Sequence, residues 1–243
     1  MKRFVLIFLA SFLFAFLLSS CGVSSQKQGK SEDVLLPDYI ESREMSKDYT
    51  DENGRAVYSL KFTYPYFNSS APSSLAAAAN EDIEKALNEE ISYAENNISY
   101  AADYLDSNST DVAWKTNIGY EFYLCDENYI SFALLTQKSV TDANVPPSYS
   151  GFNYEIASGY RLGFNSIKKE GESYESVKKS VRLKLVDILK DSTSANVKDE
   201  DVDKMLEGIF NIDSFVLTKQ GRKFFIPVSG YGLGLYGYIQ VDI

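Results

Sequence analysis

The sequence predicts an α+β fold: a mainly antiparallel sheet with one long N-terminal helix and two C-terminal helices packed on it. Three observations predict it. Several segments alternate apolar and polar residues with period two, one long segment repeats its apolar residues every four, and strands and helices come in blocks without regular βαβ alternation.

The first strand lies in Val57 to Phe67, where Tyr58, Leu60, Phe62 and Tyr64 alternate with Ser59, Lys61 and Thr63, and Pro65 restricts it to an edge or an end. From Ser74 to about Leu105 the period changes. Leu75, Ala79, Ile83, Leu87 and Ile91 share one helical face, with a cap at Ser73 or Ser74 and Asn96-Asn97 as a candidate early end. Val112, Trp114, Thr116, Ile118, Tyr120, Phe122 and Leu124 then share parity, and Tyr129 to Gln137 alternates again after Asp126-Glu127-Asn128. Together they predict a long β-hairpin.

Val140 to Ser150, with Pro146-Pro147, reads as a loop. Phe152 to Ile156 and Arg161 to Phe164 flank a tight turn at Ser158-Gly159. Helices follow at about Tyr174 to Lys190, with Val177, Val181, Leu185 and Ile188 inward, and at Asp201 to Phe210. Phe215 to Thr218 and Lys223 to Ile226 bracket Gln220-Gly221 as a hairpin, and Leu235 to Ile243 forms the last strand.

The N-terminus carries an address. Lys2-Arg3, an uncharged apolar run from Phe4 to Leu18, and Leu18-Ser19-Ser20-Cys21 have the form of a bacterial lipoprotein export signal. Residues 1–20 are expected to be removed and Cys21 to be lipidated, its thiol carrying diacylglycerol and its amine a further acyl chain such as palmitate. At about 0.8 kcal/mol per buried methylene, two or three chains anchor durably where one does not. The expected location is the bacterial cell envelope, lipid-anchored and extracytoplasmic. Residues 21–52 are expected to be the lipidated N-terminus and a flexible tether, since Gly22 to Lys30 has little to bury. The folded part begins between Val34 and Tyr58.

Composition narrows the function. The chain holds 24 basic and 34 acidic residues; losing Lys2 and Arg3 leaves 22 against 34, a net charge of −12. Such a surface repels nucleic acid and favours a cationic partner. Histidine is absent, which removes Ser-His-Asp and Cys-His nucleophile activation, histidine-ligated zinc and a near-neutral imidazole. With Cys21 lipidated, Cys125 has no disulfide partner within the chain and reads as a small buried hydrophobe.

Two motifs fail on context. Gly232-Leu233-Gly234-Leu235-Tyr236-Gly237 matches G-x-G-x-x-G, but it runs into a strand where dinucleotide binding needs a helix. Asp199, Asp201 and Asp203 have the spacing that opens a calcium loop, yet Lys204 stands where the turn needs glycine and Phe210 where glutamate closes the site. An acidic helix N-terminus is the better account. No catalytic residue, metal or cofactor is assigned.

Gly151-Phe152-Asn153-Tyr154-Glu155-Ile156, then Ser158-Gly159 and Leu162 before a helix, and later Ser214-Phe215-Val216-Leu217-Thr218, Gly221 and Phe224-Phe225-Ile226 form an ordered set. This order resembles the RsiV/PdaC-like extracytoplasmic domain family, found in a lysozyme-sensing anti-sigma factor and in the non-catalytic region of a peptidoglycan deacetylase. The resemblance covers residues 53–243, with subregions at about 53–139 and 140–243. Where the family carries a Gly-Gly-Ala-His-like segment, this chain has Asn144-Val145-Pro146-Pro147-Ser148-Tyr149, so the relatives' ligand does not come with the fold. The resemblance implies a stand-alone, non-enzymatic binding lipoprotein for a lysozyme-like cationic hydrolase or a peptidoglycan ligand. Pro146, Pro147, Tyr149 and Phe152 in one loop and Tyr231 and Tyr236 in another are the candidate contacts, the tyrosines as rigid aromatic anchors. A structural lipoprotein that binds other lipoproteins, and a carboxylate-dependent glycan hydrolase, are the alternatives.

Overall fold

The computed structural model describes residues 34–108, 113–140, 147–192, 198–228 and 237–243. They form an α+β fold with two sheets. The first has five strands in sequence order: β1 (Ile40–Thr50), β2 (Ala56–Phe67), β3 (Trp114–Cys125), β4 (Tyr129–Ser139) and β5 (Ser148–Glu155). All its neighbours pair antiparallel except β2 and β3. The long helix α1 (Ser73–Asn108) connects those two as a crossover, which a parallel pair requires. The second sheet contains β6 (Phe215–Thr218), β7 (Gly221–Pro227) and β8 (Tyr238–Asp242). Before it in the chain come a short α2 (Phe164–Ile167), α3 (Tyr174–Ser192) and α4 (Asp199–Ile209).

Four layers result. On one side of the first sheet α1 buries Leu75, Ala79, Ile83, Leu87, Ala94, Ala101 and Leu105 against Tyr58, Leu60, Phe62, Phe122, Phe132 and Tyr154. The spacing shortens after Leu87 from four residues towards three and a half, and the apolar stripe continues past Asn96-Asn97. Asn97 does not end the helix; its Nδ2 donates to the Tyr93 carbonyl at 2.8 Å. Ser73 is the first helical residue, so the cap position falls on Pro72, whose carbonyl accepts the Ala76 N–H at 2.9 Å.

The C-terminal helices pack on the second sheet. Val177, Val181 and Leu185 of α3 and Val202, Met205 and Leu206 of α4 share a core with Phe215, Phe224, Ile226, Ile239 and Val241. Between the sheets Ala133, Val216 and Phe225 are buried, with Tyr123, Leu135, Tyr149 and Tyr238 against them. Both faces of β4 are therefore covered, and its buried run Ile130–Leu134 is apolar at four of five positions.

The sheets are joined by a polar clip. Asn153 Nδ2 donates to the Phe215 carbonyl at 3.0 Å, while its Oδ1 accepts the Leu217 N–H at 3.0 Å and the Ser131 hydroxyl at 2.6 Å. Leu217 N–H also donates to Ser131 Oγ at 2.8 Å. The carboxamide thus reproduces the donor and acceptor of a neighbouring strand, and β6 is paired on both sides. Gly151 makes room for it, because a Cβ there would overlap the Phe215 carbonyl.

Three sequence expectations shift. The sheet starts at Ile40, inside the 21–52 stretch assigned to a tether, because β1 half-buries only Ile40, Met45 and Tyr49 and shows no alternation. The boundary between subregions 53–139 and 140–243 also divides paired strands, since β5 pairs with β4 from Tyr129↔Glu155 to Thr136↔Ser148. Arg161 to Phe164 is a single bridge to Tyr154 leading into α2 and not a strand.

Replacing Asn153 by Ala is expected to lower the unfolding free energy by about 2–4 kcal/mol in urea titration, since it strands buried backbone groups of β6. Asn153→Asp, nearly isosteric, is expected to cost at least as much because it cannot donate to Phe215. An Asp variant as stable as the parent would contradict the clip.

Candidate functional site

The clip sets where the loops go. With β6 held over Gly151 and Asn153, β7 runs beside it and brings Phe225 onto the start of β5. Tyr149 stacks on Phe225 with centroids 4.5 Å apart and planes 4° from parallel, and meets Tyr238 edge-on at 5.2 Å. Tyr123 meets the other edge of Phe225 at 5.7 Å. The roots of the Val140–Ser150 and Gly230–Gly237 loops, distant in sequence, thus share one aromatic floor.

Polar groups edge this floor. Tyr123 Oη donates to Glu121 Oε2 at 2.6 Å. Lys223 Nζ lies 3.6 Å from Asp242, 3.2 Å from the Gln240 side-chain carbonyl and 5.8 Å from the Tyr123 centroid. Burial raises the pKa of Tyr123, and its bond to Glu121 raises it further; burial raises Tyr149, with Glu121 adding to it, and burial raises Tyr238. These phenols remain neutral donors on an apolar base, a surface suited to stacking and hydrogen bonding.

The sequence-predicted contacts divide. Tyr149 is on the floor, half-buried, and Pro147 leads into it. Phe152 is only 3% exposed and stacks on Phe132 at 5.1 Å. It points into the α1 side of the sheet, so its expected ligand contact is replaced by a core role. Cys21, Pro146, Tyr231 and Tyr236 lie outside the described residues. Sequence reasoning missed Glu121, Tyr123, Phe225 and Tyr238. Glu121 and Tyr123 occupy the odd positions of β3, opposite the buried parity, and only the second sheet gives that face a partner.

Other candidates find structural employment. Arg182 bonds Asp203 through Nε and Nη2 and Asp199 through Nη2 at 3.4 Å, and Lys190 reaches Asp199 at 3.4 Å. Two of the three aspartates with calcium-loop spacing thus join α4 to α3. Gly237 leads into strand β8, as the failed dinucleotide motif implied. Burial, with Asp126 adding to it, raises the Cys125 thiol pKa and leaves a poor nucleophile. Among the described residues no three His, Cys, Asp or Glu side chains group to hold a metal, and no helix is long and apolar enough to cross a membrane.

No family model and no curated protein match the chain. Solved structures do. A DUF3298 family member from Bacteroides fragilis NCTC 9343 superimposes with a TM-score of 0.55 at 14% identity, over 84% of this chain and 89% of that one. A DUF3298 family protein from Pseudomonas aeruginosa PAO1 gives 0.53 at 13% identity, over 85% and 91%. The likeness shows the fold.

A pH dependence follows from the buried phenols. Tyr154, whose hydroxyl donates to Asp82 Oδ2 at 2.6 Å, is raised by burial first and that bond second, as Tyr123 is by burial and Glu121. A raised folded pKa gives stability that is whole below the ordinary tyrosine value of 10.0 and is lost as pH rises above it. In an absorbance titration Tyr123 and Tyr154 are expected to ionise together with alkaline unfolding, and Tyr123→Phe to remove one late phenol. Ionisation of every tyrosine near pH 10 in a still-folded chain would exclude this.

Proposed function

We propose that the protein is a membrane-anchored extracytoplasmic binding lipoprotein that recognises a cationic protein at the cell envelope, a lysozyme-like hydrolase being the first candidate and a peptidoglycan ligand the second. Its support begins with the export signal ending at Cys21 and the net charge of −12. The observation that carries it is how charge is distributed on α1.

That helix has eight carboxylates and one lysine. Four of the acids are spent on the rest of the fold: Asp82 on Arg161 at 3.1 Å, Glu90 on Lys138 at 2.8 Å, Glu95 on Lys47 at 2.9 Å and Asp106 on Arg55 at 2.7 Å. Glu81, Glu84 and Glu89 stand exposed and without an ion pair among the described residues, along a shallow recess shared with Lys85, Ser92 and Tyr93. Such a stripe attracts a cationic surface and speeds encounter, with a strong dependence on salt. The half-buried rings of Tyr149 and Tyr238, seated on the buried Phe225, supply aromatic contact of the kind that fixes a docked partner. No nucleophile or paired acid and base is needed.

The full chain is expected to bind lysozyme saturably in calorimetric titration at low salt and more weakly as salt is raised. Glu81→Lys, Glu84→Lys and Glu89→Lys together are expected to weaken binding by about tenfold or more while leaving folding intact, because surface charges contribute little to stability. No heat at any salt would send the search to wall glycans. Cys21→Ala is expected to shift the protein from the membrane fraction to the soluble extracytoplasmic fraction, and unchanged partitioning would exclude the lipid anchor.

A further inference from the structure

The end of the two sheets opposite the aromatic floor holds a groove of about 590 Å³ between the β3–β4 turn, α2 and the β6–β7 turn. Lys169, Lys219, Arg222, Ser166 and Thr218 are among its lining residues, with Asp126 on the rim. Nothing in the sequence marks it, because these residues are dispersed over nearly a hundred positions.

Arg222 is the unusual member. Its side chain is 9% exposed, lies over Phe164 with the guanidinium carbon 5.6 Å from the ring centroid, and donates through Nη2 to Glu172. Its Nη1 is buried and has no hydrogen-bond partner among the described residues. A buried guanidinium with two N–H donors unmet is costly, because those donors have given up water and gained no partner in exchange. Glu172 and Asp126 each hold other donors as well. Glu172 also accepts the Lys169 N–H at 3.1 Å, and Asp126 Oδ1 accepts the N–H groups of Asn128 and Tyr129, both at 2.8 Å.

We infer that this groove is an oxyanion site, taking the carboxylate or phosphate terminus of a ligand against Arg222, with Lys169 and Lys219 lending positive charge at its rim. The planar guanidinium is suited to such a group, with Nη1 free to donate while Nη2 keeps Glu172. The site combines polar and apolar lining, and its residues are not those of the α1 stripe or the aromatic floor. In a protein with a large excess of acid it gives a local patch of the opposite sign.

The test is a titration of the full chain with sodium phosphate and, in a parallel arm, with sodium acetate, each against chloride at equal ionic strength, followed by melting temperature and amide chemical shifts. A saturable response to either oxyanion, with shifts confined to Ser166–Glu172 and Leu217–Arg222, is expected. Response to phosphate alone assigns a phosphate-bearing ligand; response to acetate alone assigns a carboxylate-bearing one. Arg222→Lys keeps a cation for Glu172 but loses Nη1, and is expected to reduce affinity about tenfold. Lys169→Gln and Lys219→Gln provide the reading if Arg222→Lys does not fold, each with an expected loss of about threefold. A chloride-like response in both arms, or affinities unchanged in the folded variants, would overturn the site.

Discussion

The carboxamide of Asn153 is the interaction on which the rest of this architecture depends. One side chain on β5 offers an acceptor and a donor where a fourth strand of the second sheet would, and β6 takes both. The geometry leaves no space for a side chain at Gly151 and draws in the Ser131 hydroxyl from β4. Two sheets that would otherwise slide over a thin apolar contact of Ala133, Val216 and Phe225 are fixed in one register. Because β6 is held, so are β7 and β8, and with them the α3 and α4 layer. The Gly151-Phe152-Asn153-Tyr154 run alternates accordingly: Gly151 and Asn153 serve the second sheet, while Phe152 and Tyr154 serve α1.

This double duty explains what could be seen in the sequence. The period-two runs of β2 and β3 and the four-residue stripe of α1 were legible because one face of each is buried against a single apolar layer. The β1 strand was not, since its charged residues occupy both faces. Glu41, Arg43, Glu44, Lys47 and Asp48 make it a poor template for a neighbour, a common protection for an open sheet edge. The second cover of the first sheet was also hidden. Its signal was present in the run Ile130–Leu134, buried at every position, but a hairpin with one wet face explains the alternation of β3 equally well. For the candidate site, Tyr149 could be picked out from its place beside Pro146-Pro147, whereas Phe225, Tyr238 and Tyr123 are ordinary strand residues until the sheets meet.

The acidic surplus serves stability and surface separately. The four paired carboxylates of α1 point towards β1, the β4 end, the Ser158-Gly159 turn region and the β1–β2 turn, fastening a 36-residue helix along its length. Lys138, which reaches Glu90, also lies over the Tyr93 ring at 3.7 Å. Partial burial makes the Glu90 pair more than a loose surface contact, while the half-exposed Lys47–Glu95 pair contributes little net stability. Charges on the other helical face have no such structural work, and removing them should leave the helix in place.

The titration behaviour of the chain argues in the same direction. With no histidine, it has no side chain whose ordinary pKa lies between about pH 5 and 8. Where the environment moves a group, it moves it away from neutrality: Asp51 downward through the Arg55 backbone N–H, Glu95 through Lys47, Asp203 through Arg182, and Tyr123, Tyr154 and Cys125 upward through burial. The field around the folded domain is therefore nearly constant across the range in which an acid-base catalyst would need a group to change charge. Such a domain can be tuned by salt and by the charge of what it meets. The proposed recognition role asks no more of the domain than a fixed negative field, an aromatic floor and a deep arginine, none of which has to change charge.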